Sequence, residues 1–318
     1  MTLFTQSPMV APQQRHPAET QGSSLPESSF TGLVMTLQPA SSLLLRLSIL
    51  LSVSLLFAFT QGCATNLKAI QDFANLSAES AEYTALVDEY LEFPNRQKRY
   101  QPPSRHASLD TMAQERATQK TGLLLRQRII ETYMDSLGRL AADELVDNTE
   151  ALGTLSAALH NQAGTNPQET EAYEKMAGIL TKVAIDRWRQ RQLQDLIEQA
   201  NPPIQQILGA LQRIVSDGFG GDLQTEEAAI QNYYMTLIME SNDPAGKAAL
   251  SEWKELRTSQ AQERAQAVQT YRTVLNKISE GHQQLFDGRH QLDSKQVLEQ
   301  VKHAAKDLQS LLDAIKKL

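Results

Sequence analysis

A single cysteine, Cys63, stands in 318 residues, which rules out an intramolecular disulfide, a haem-attachment pair and a zinc-finger spacing. Stability must then come from packing. Helix-breaking punctuation is sparse, with 15 glycines and 12 prolines, and no strand pattern competes with the helical spacing of the apolar residues. A basic excess is also missing. The formal charge is −7, and an acidic surface argues against nucleic acid as a partner.

Catalytic and metal-binding patterns are equally thin. Nucleophile elbows and phosphate-binding glycine loops are absent, and Gly218 to Gly221 follow a helical stretch, where helix punctuation accounts for them. Ser251-Glu252-Trp253-Lys254 and Lys120-Thr121-Gly122 match two fragments found in penicillin-recognising enzymes. Their order is reversed and the third motif is missing, so chance explains them. A di-metal bundle needs Glu-x-x-His on two helices and the chain has none. The nearest approach is Asp287-x-x-His290 with His282, where Gly281 and Gly288 suggest a fraying helix end. No catalytic residue, cofactor or metal is expected.

What is present begins with an apolar run from Leu47 to Phe59, ended by Phe59-Thr60-Gln61-Gly62-Cys63. Thirteen residues fall short of the roughly 20 needed to span a bilayer and inside the 7–15 of a signal h-region. Arg46 provides a basic edge, and small Gly62 leaves the backbone beside the thiol open to a peptidase. This segment resembles the bacterial lipoprotein signal peptide, in which the thiol is acylated and the chain cut so that cysteine becomes the N-terminus. The family usually has leucine where Thr60 stands. The resemblance covers residues 35–63. It implies lipidation of Cys63, anchoring in a membrane through acyl chains, and an outer-membrane, periplasm-facing destination, since Ala64 replaces the aspartate that retains such proteins at the inner membrane. An uncleaved anchor, or a buried cysteine beside a core helix, is the alternative.

Residues 1–34 are rich in Gln, Ser and Pro and do not fit a short basic n-region, so they read as a disordered leader or a mis-called start, with Met35 as the better beginning. Residues 35–62 read as signal peptide and 63–318 as the mature domain. Residues 1–62 carry Arg15 and Arg46 against Glu19 and Glu27, so the net charge of −7 belongs to the mature part.

In the mature part, spacing predicts helices near 64–92, 108–161, 167–200, 203–217, 222–242, 245–288 and 294–317. Asn166-Pro167, Asn201-Pro202-Pro203 and Asp243-Pro244 place a capping side chain before proline and read as helix starts. Gly218 to Asp222 reads as a stop followed by a new cap, and Asp293 with Gln296 as a capping box. Val268, Tyr271, Leu275, Ile278, His282 and Leu285 form one apolar stripe. A second runs Val297, Val301, Ala304, Leu308, Leu311, Ile315 and Leu318. Ile130, Tyr133, Leu137 and Leu140 begin a third, whose phase slips before Leu152, Leu155 and Leu159. The fold class is therefore all-α, an elongated antiparallel helical bundle with locally coiled-coil-like packing, kinked at Pro202 and Pro244.

Three further features bear on function. Residues 93–108, with Pro94, Pro102 and Pro103 among Arg96, Lys98, Arg99, Arg105 and His106, read as a loop. It is either a solvated crossover or a basic contact for anionic phospholipid or lipopolysaccharide. Arg187, Arg189 and Arg191 fan around a helix near Trp188 and form no single stripe. His282 takes a place that its neighbours give to Ile or Leu. A buried imidazole needs a hydrogen-bond partner, and the position is either a satisfied core histidine or a pH-sensitive break, with the helix pair loosening as pH falls through the imidazole range.

The expected function is that of a non-enzymatic envelope lipoprotein that binds, scaffolds or regulates another envelope protein. The alternative is a small-ligand- or metal-binding bundle, possibly enzymatic, with a cavity lined by Tyr233, Tyr234, Trp253 and Tyr271.

Overall fold

Apolar residues three and four apart give each segment a face to bury, and the chain satisfies those faces by laying helix on helix. The computed structural model describes residues 67–142, 144, 146, 167–183 and 189–316, all within one compact unit, and no strand occurs among them. The helices are α1 (67–81), α2 (Thr84–Lys98), α3 (His106–Ala142), α4 (Pro167–Val183), α5 (Arg189–Arg213), α6 (Gly220–Glu240), α7 (Pro244–Asp287) and α8 (Lys295–Ile315). The fold is an all-α helical bundle. Its main pairings are α2 on α3, α4 on α5, α5 on both α3 and α7, α6 on α7, and α7 on α8.

The α7 stripe from Val268 to Leu285 is buried throughout, His282 included. In α8, Val297, Val301, Ala304 and Leu308 are buried, Leu311 and Ile315 are half-buried, and Leu318 lies outside the described residues. Ile130, Tyr133, Leu137 and Leu140 sit in the same core. The readings of residues 1–66, Cys63 among them, of the continuation of α3 to 161, and of the Arg187–Trp188 fan also fall outside the described residues.

Several expected boundaries move, each for a tertiary reason. The helix expected over 64–92 is two, broken at Glu82 and Tyr83. The break has no glycine or proline. It is held by distant side chains: the Tyr271 hydroxyl donates to the Ala81 carbonyl at 2.8 Å and Gln127 Nε2 donates to the Tyr83 carbonyl at 3.2 Å. The Ala81 carbonyl, which also accepts from Tyr83 N, and the Tyr83 carbonyl, which also accepts from Leu86 N, thus each gain a second donor from another helix.

The expected loop over 93–108 is mostly helix. α2 continues to Lys98 with Pro94 inside it, a short 3-10 turn covers Pro103–Arg105, and α3 starts at His106, which leaves only 99–102 as link. Pro94 cannot donate to the Tyr90 carbonyl four residues back. Arg116 on α3 does so instead, at 2.8 Å, while stacking over the rings of Tyr90 and Phe93 and pairing with Asp222.

Neither Asn201-Pro202-Pro203 nor Gly218 to Asp222 breaks the chain. α5 runs through both prolines, leaving without amide donors the carbonyls of Glu198 and Gln199, two residues on the solvent side. A π-helical segment, Ile214–Phe219, joins α5 to α6 without interruption. Its extra residue per turn seats buried Phe219 edge-on against Tyr90, with ring centroids 5.8 Å apart. Asp222 caps nothing, because its carboxylate is used by Arg116. At α8 the cap is Ser294, whose hydroxyl accepts from Val297 N, in place of Asp293. Asp243 does cap α7 as expected, accepting from Ala245 N and Gly246 N.

Gly281 is no frayed end. It is buried inside α7, and a Cβ there would overlap the ring of Phe73 on α1. Phe73 is itself fully buried and cannot swing away. Gly281→Ala is therefore expected to cost about 1–3 kcal/mol by overpacking, seen as a Tm lowered by several degrees; an unchanged Tm would mean the α1–α7 approach is looser than described.

Candidate functional site

Two features of this bundle could meet other molecules, and both lie toward the N-terminal half of α7. Outside the main core, Ile230, Tyr234 and Ala261 form a small cluster with Tyr100, Leu237 and Leu250 against it. Above that cluster α6 and α7 project as a hairpin turned by the link 241–243. Every exposed large apolar side chain among the described residues is on this hairpin: Tyr233, Met235 and Met239 on α6, Trp253 and Leu256 on α7. Met235 and Met239 are four apart and Trp253 and Leu256 three apart, so each pair shares a helix face. Met239 is 78% exposed and Trp253 56%. Between Met239 and Arg257 the charged residues are Glu240, Asp243, Glu252 and Glu255 against Lys247, Lys254 and Arg257, a nearly balanced set.

The opposite end of α7 holds the start of the described chain. Tyr271 touches Ala81, Gly281 faces Phe73, and Lys68 and Asp72 share a cleft with Asp293 and Lys295. α1 is thus antiparallel to α7, and its first turn lies beside the C-terminal end of that helix. α7 has 44 residues, about 66 Å of helix at 1.5 Å per residue.

At the base of the hairpin lies a cleft of about 640 Å³ between α2 and α7. Its floor is an ion-pair network around Glu226, which is 1% exposed and pairs with Arg96 at 3.0 Å and Arg264 at 2.9 Å. Glu89 also pairs with Arg96, at 2.8 Å. Two more guanidiniums, Arg99 and Arg257, line the cleft. Arg257 donates to Gln260, and among the described residues no carboxylate pairs with it or with Arg99. Tyr100 lines the same cleft. Burial raises that phenol above its ordinary pKa, Tyr234 adds to the rise, and Arg257 and Arg99 oppose it. The sequence flagged Arg96 and Arg99 only as members of a basic loop. Arg257 and Arg264 carried no signal, because their neighbours in space lie on other helices.

The aromatic residues expected to share a cavity do not. Tyr271 is fully buried, donating to Ala81 and accepting from Gln127, Tyr234 belongs to the small cluster, and Tyr233 and Trp253 are on the surface. Nor are His282, Asp287 and His290 gathered. His282 contacts Tyr133 and Asn201, Asp287 accepts from Gln283, and His290 faces Gln194. No group of three metal-ligating side chains occurs among the described residues. The two short matches to catalytic motifs are likewise occupied locally. Ser251 donates to the Lys247 carbonyl and Lys120 pairs with Asp88.

His282 is fully buried. Its Nδ1 lies 3.0 Å from Asn201 Oδ1 and its Nε2 meets the Tyr133 hydroxyl. Asn201 Oδ1 can only accept, so Nδ1 carries the proton and Nε2 accepts from Tyr133. Asn201 in turn donates to Gln283, which donates to Asp287. This hydrogen-bond chain ties α3, α5 and α7 together. Burial holds the imidazole down to about 3, so His282 in the folded protein stays uncharged throughout the ordinary imidazole range.

Among the described residues no helix is long and apolar enough to cross a membrane. No protein-family model, curated protein or solved structure matches the chain.

Proposed function

We propose that this chain is a non-enzymatic, lipid-anchored envelope protein that holds or regulates another envelope protein, engaging it through the α6–α7 hairpin. The observation that carries this reading is that, among the described residues, all five exposed large apolar side chains are confined to that one hairpin. Scattered surface apolar residues need no explanation, whereas a clustered patch on a polar molecule marks a contact surface. The partner's surface is a complementary apolar patch with a mixed polar border.

Anchoring fits the other end of the molecule. The lipobox-like Cys63 precedes α1 by four residues, and that length of chain reaches about 14 Å at most. Acyl chains on Cys63 would attach the protein in the outer membrane beside the C-terminal end of α7, with the hairpin at the far end of the same helix. The basic 93–108 segment is a poor candidate for a lipid contact. Arg96 is committed to Glu226, and Lys98 pairs with Asp110.

Site-specific photocrosslinking in cells tests the hairpin. A crosslinker at Met239 or Trp253 is expected to trap one discrete envelope protein, and one at Lys302, on exposed α8, to leave it untrapped. Substituting Met235 and Leu256 with serine should abolish the adduct without altering the thermal melt. Equal trapping from Lys302 and from the hairpin would overturn the assignment.

A further inference from the structure

The lining of the cleft between α2 and α7 can be read without reference to the anchoring of the chain. Four guanidiniums face it, from Arg96, Arg99, Arg257 and Arg264, against three carboxylates, from Glu89, Glu226 and Glu263. Two of the carboxylates are already paired with guanidiniums. Glu226 is shared between Arg96 and Arg264, Glu89 holds Arg96, and Glu263 accepts from Ser259 on its own helix. Buried Glu226 also fixes the floor, because it ties α2 to α7 from beneath and leaves the cleft little freedom to collapse. Among the described residues no carboxylate pairs with Arg99 or Arg257, and with Glu263 counted the lining carries one positive charge in excess.

A guanidinium presents a planar fork of donors suited to the paired oxygens of a carboxylate or phosphate. Arg99 and Arg257 offer two such forks, and Tyr100 lines the same cleft. Beyond the charged mouth the wall turns apolar, formed by Tyr83, Leu86, Phe219 and Ala267. A pocket with convergent polar groups at one end and apolar side chains at the other selects ligands with the same polarity.

We infer that this cleft binds a small amphipathic anion, its oxyanion head held by Arg99 and Arg257 and its short apolar body resting against Tyr83, Leu86 and Ala267. The head is a phosphate monoester or a carboxylate, from a soluble metabolite or from a lipid fragment. A volume of about 640 Å³ lies within the roughly 300–1,000 Å³ of small-molecule pockets and accommodates such a body without rearrangement of the helices.

Calorimetric titration of the full chain, extracted in detergent, with hexyl phosphate, hexanoate and inorganic phosphate tests this. Saturable binding of hexyl phosphate or hexanoate is expected, at least tenfold tighter than inorganic phosphate. The Arg99→Gln/Arg257→Gln variant should weaken it at least tenfold while melting like the wild type, since neither side chain holds a carboxylate. Arg128→Gln, which removes an exposed guanidinium paired with Glu131 on α3, should bind as the wild type does. Binding of all three probes at equal strength would overturn the apolar seat. No saturable binding, or full binding by the double variant, would overturn the site.

Discussion

Replacing Arg116 with methionine is expected to destabilise the protein by about 3 kcal/mol, the scale for breaking a buried ion pair from one side. The guanidinium does three things at once. It neutralises Asp222, supplies the Tyr90 carbonyl with the donor that Pro94 lacks, and stacks on Tyr90 and Phe93. Methionine can fill part of the volume and keep some ring contact, but it leaves a carbonyl and a carboxylate without their partner. Two consequences separate this account from simple loss of packing. Pro94→Ala restores a backbone donor at the orphaned carbonyl, so it should help the Arg116→Met protein more than the wild type, by about 1 kcal/mol in a double-mutant cycle. Burial already holds the Asp222 carboxyl above its ordinary range with Arg116 opposing. Without Arg116 it rises further, and a raised folded pKa means stability is lost as pH increases. The deficit measured by urea denaturation should therefore be smaller at pH 5 than at pH 7. Additive effects of the two substitutions, with a deficit independent of pH, would contradict the arrangement.

The second large effect comes from His282. In the unfolded chain its imidazole protonates near the ordinary pKa of about 6.5, whereas in the folded protein burial delays that to about 3. A depressed folded pKa means that the unfolded state takes up the proton first, so stability is fully present above about pH 6.5 and is lost as pH falls. The loss is about 1.4 kcal/mol per pH unit until about pH 3. The groups touching the ring, Tyr133 and Asn201, stay neutral across this window, so the effect belongs to His282. Other carboxylates add their own acid lability, which a comparison cancels. His282→Gln should be the less stable protein at pH 7.5, and the gap to wild type should narrow by about 2–3 kcal/mol by pH 4.5. A constant gap would mean that the imidazole is hydrated in the folded state. The helix pair itself should not loosen near pH 6, because the native imidazole is still uncharged there.

The stripes on α7 and α8 were legible because three- and four-residue spacing is a local property of the chain, and the Asp243-Pro244 start was legible because a cap and its proline are adjacent. What escaped was decided at a distance. The break at Glu82 and Tyr83 depends on Tyr271 and Gln127. Pro94 passes unnoticed inside α2 because a residue on another helix repairs its hydrogen bond, and the prolines of α5 are tolerated where the affected residues face solvent. Gly218 and its neighbours read as a stop, yet a π segment carries the helix through them and turns Phe219 onto Tyr90. The same logic hid the cleft. Arg99 is near Arg257 only because α2 and α7 face each other across the cleft, and the exposure of Tyr233 and Trp253, read as lining a cavity, depends on the packing of other helices.

The functional reading stands on an acylated Cys63, and the intact mass of the membrane-extracted protein, wild type beside Cys63→Ser, tests it most directly. The account predicts a chain beginning at Cys63 with the added mass of its acyl groups, and loss of that species in the variant. An unmodified full-length mass would contradict it and detach the hairpin from any envelope partner.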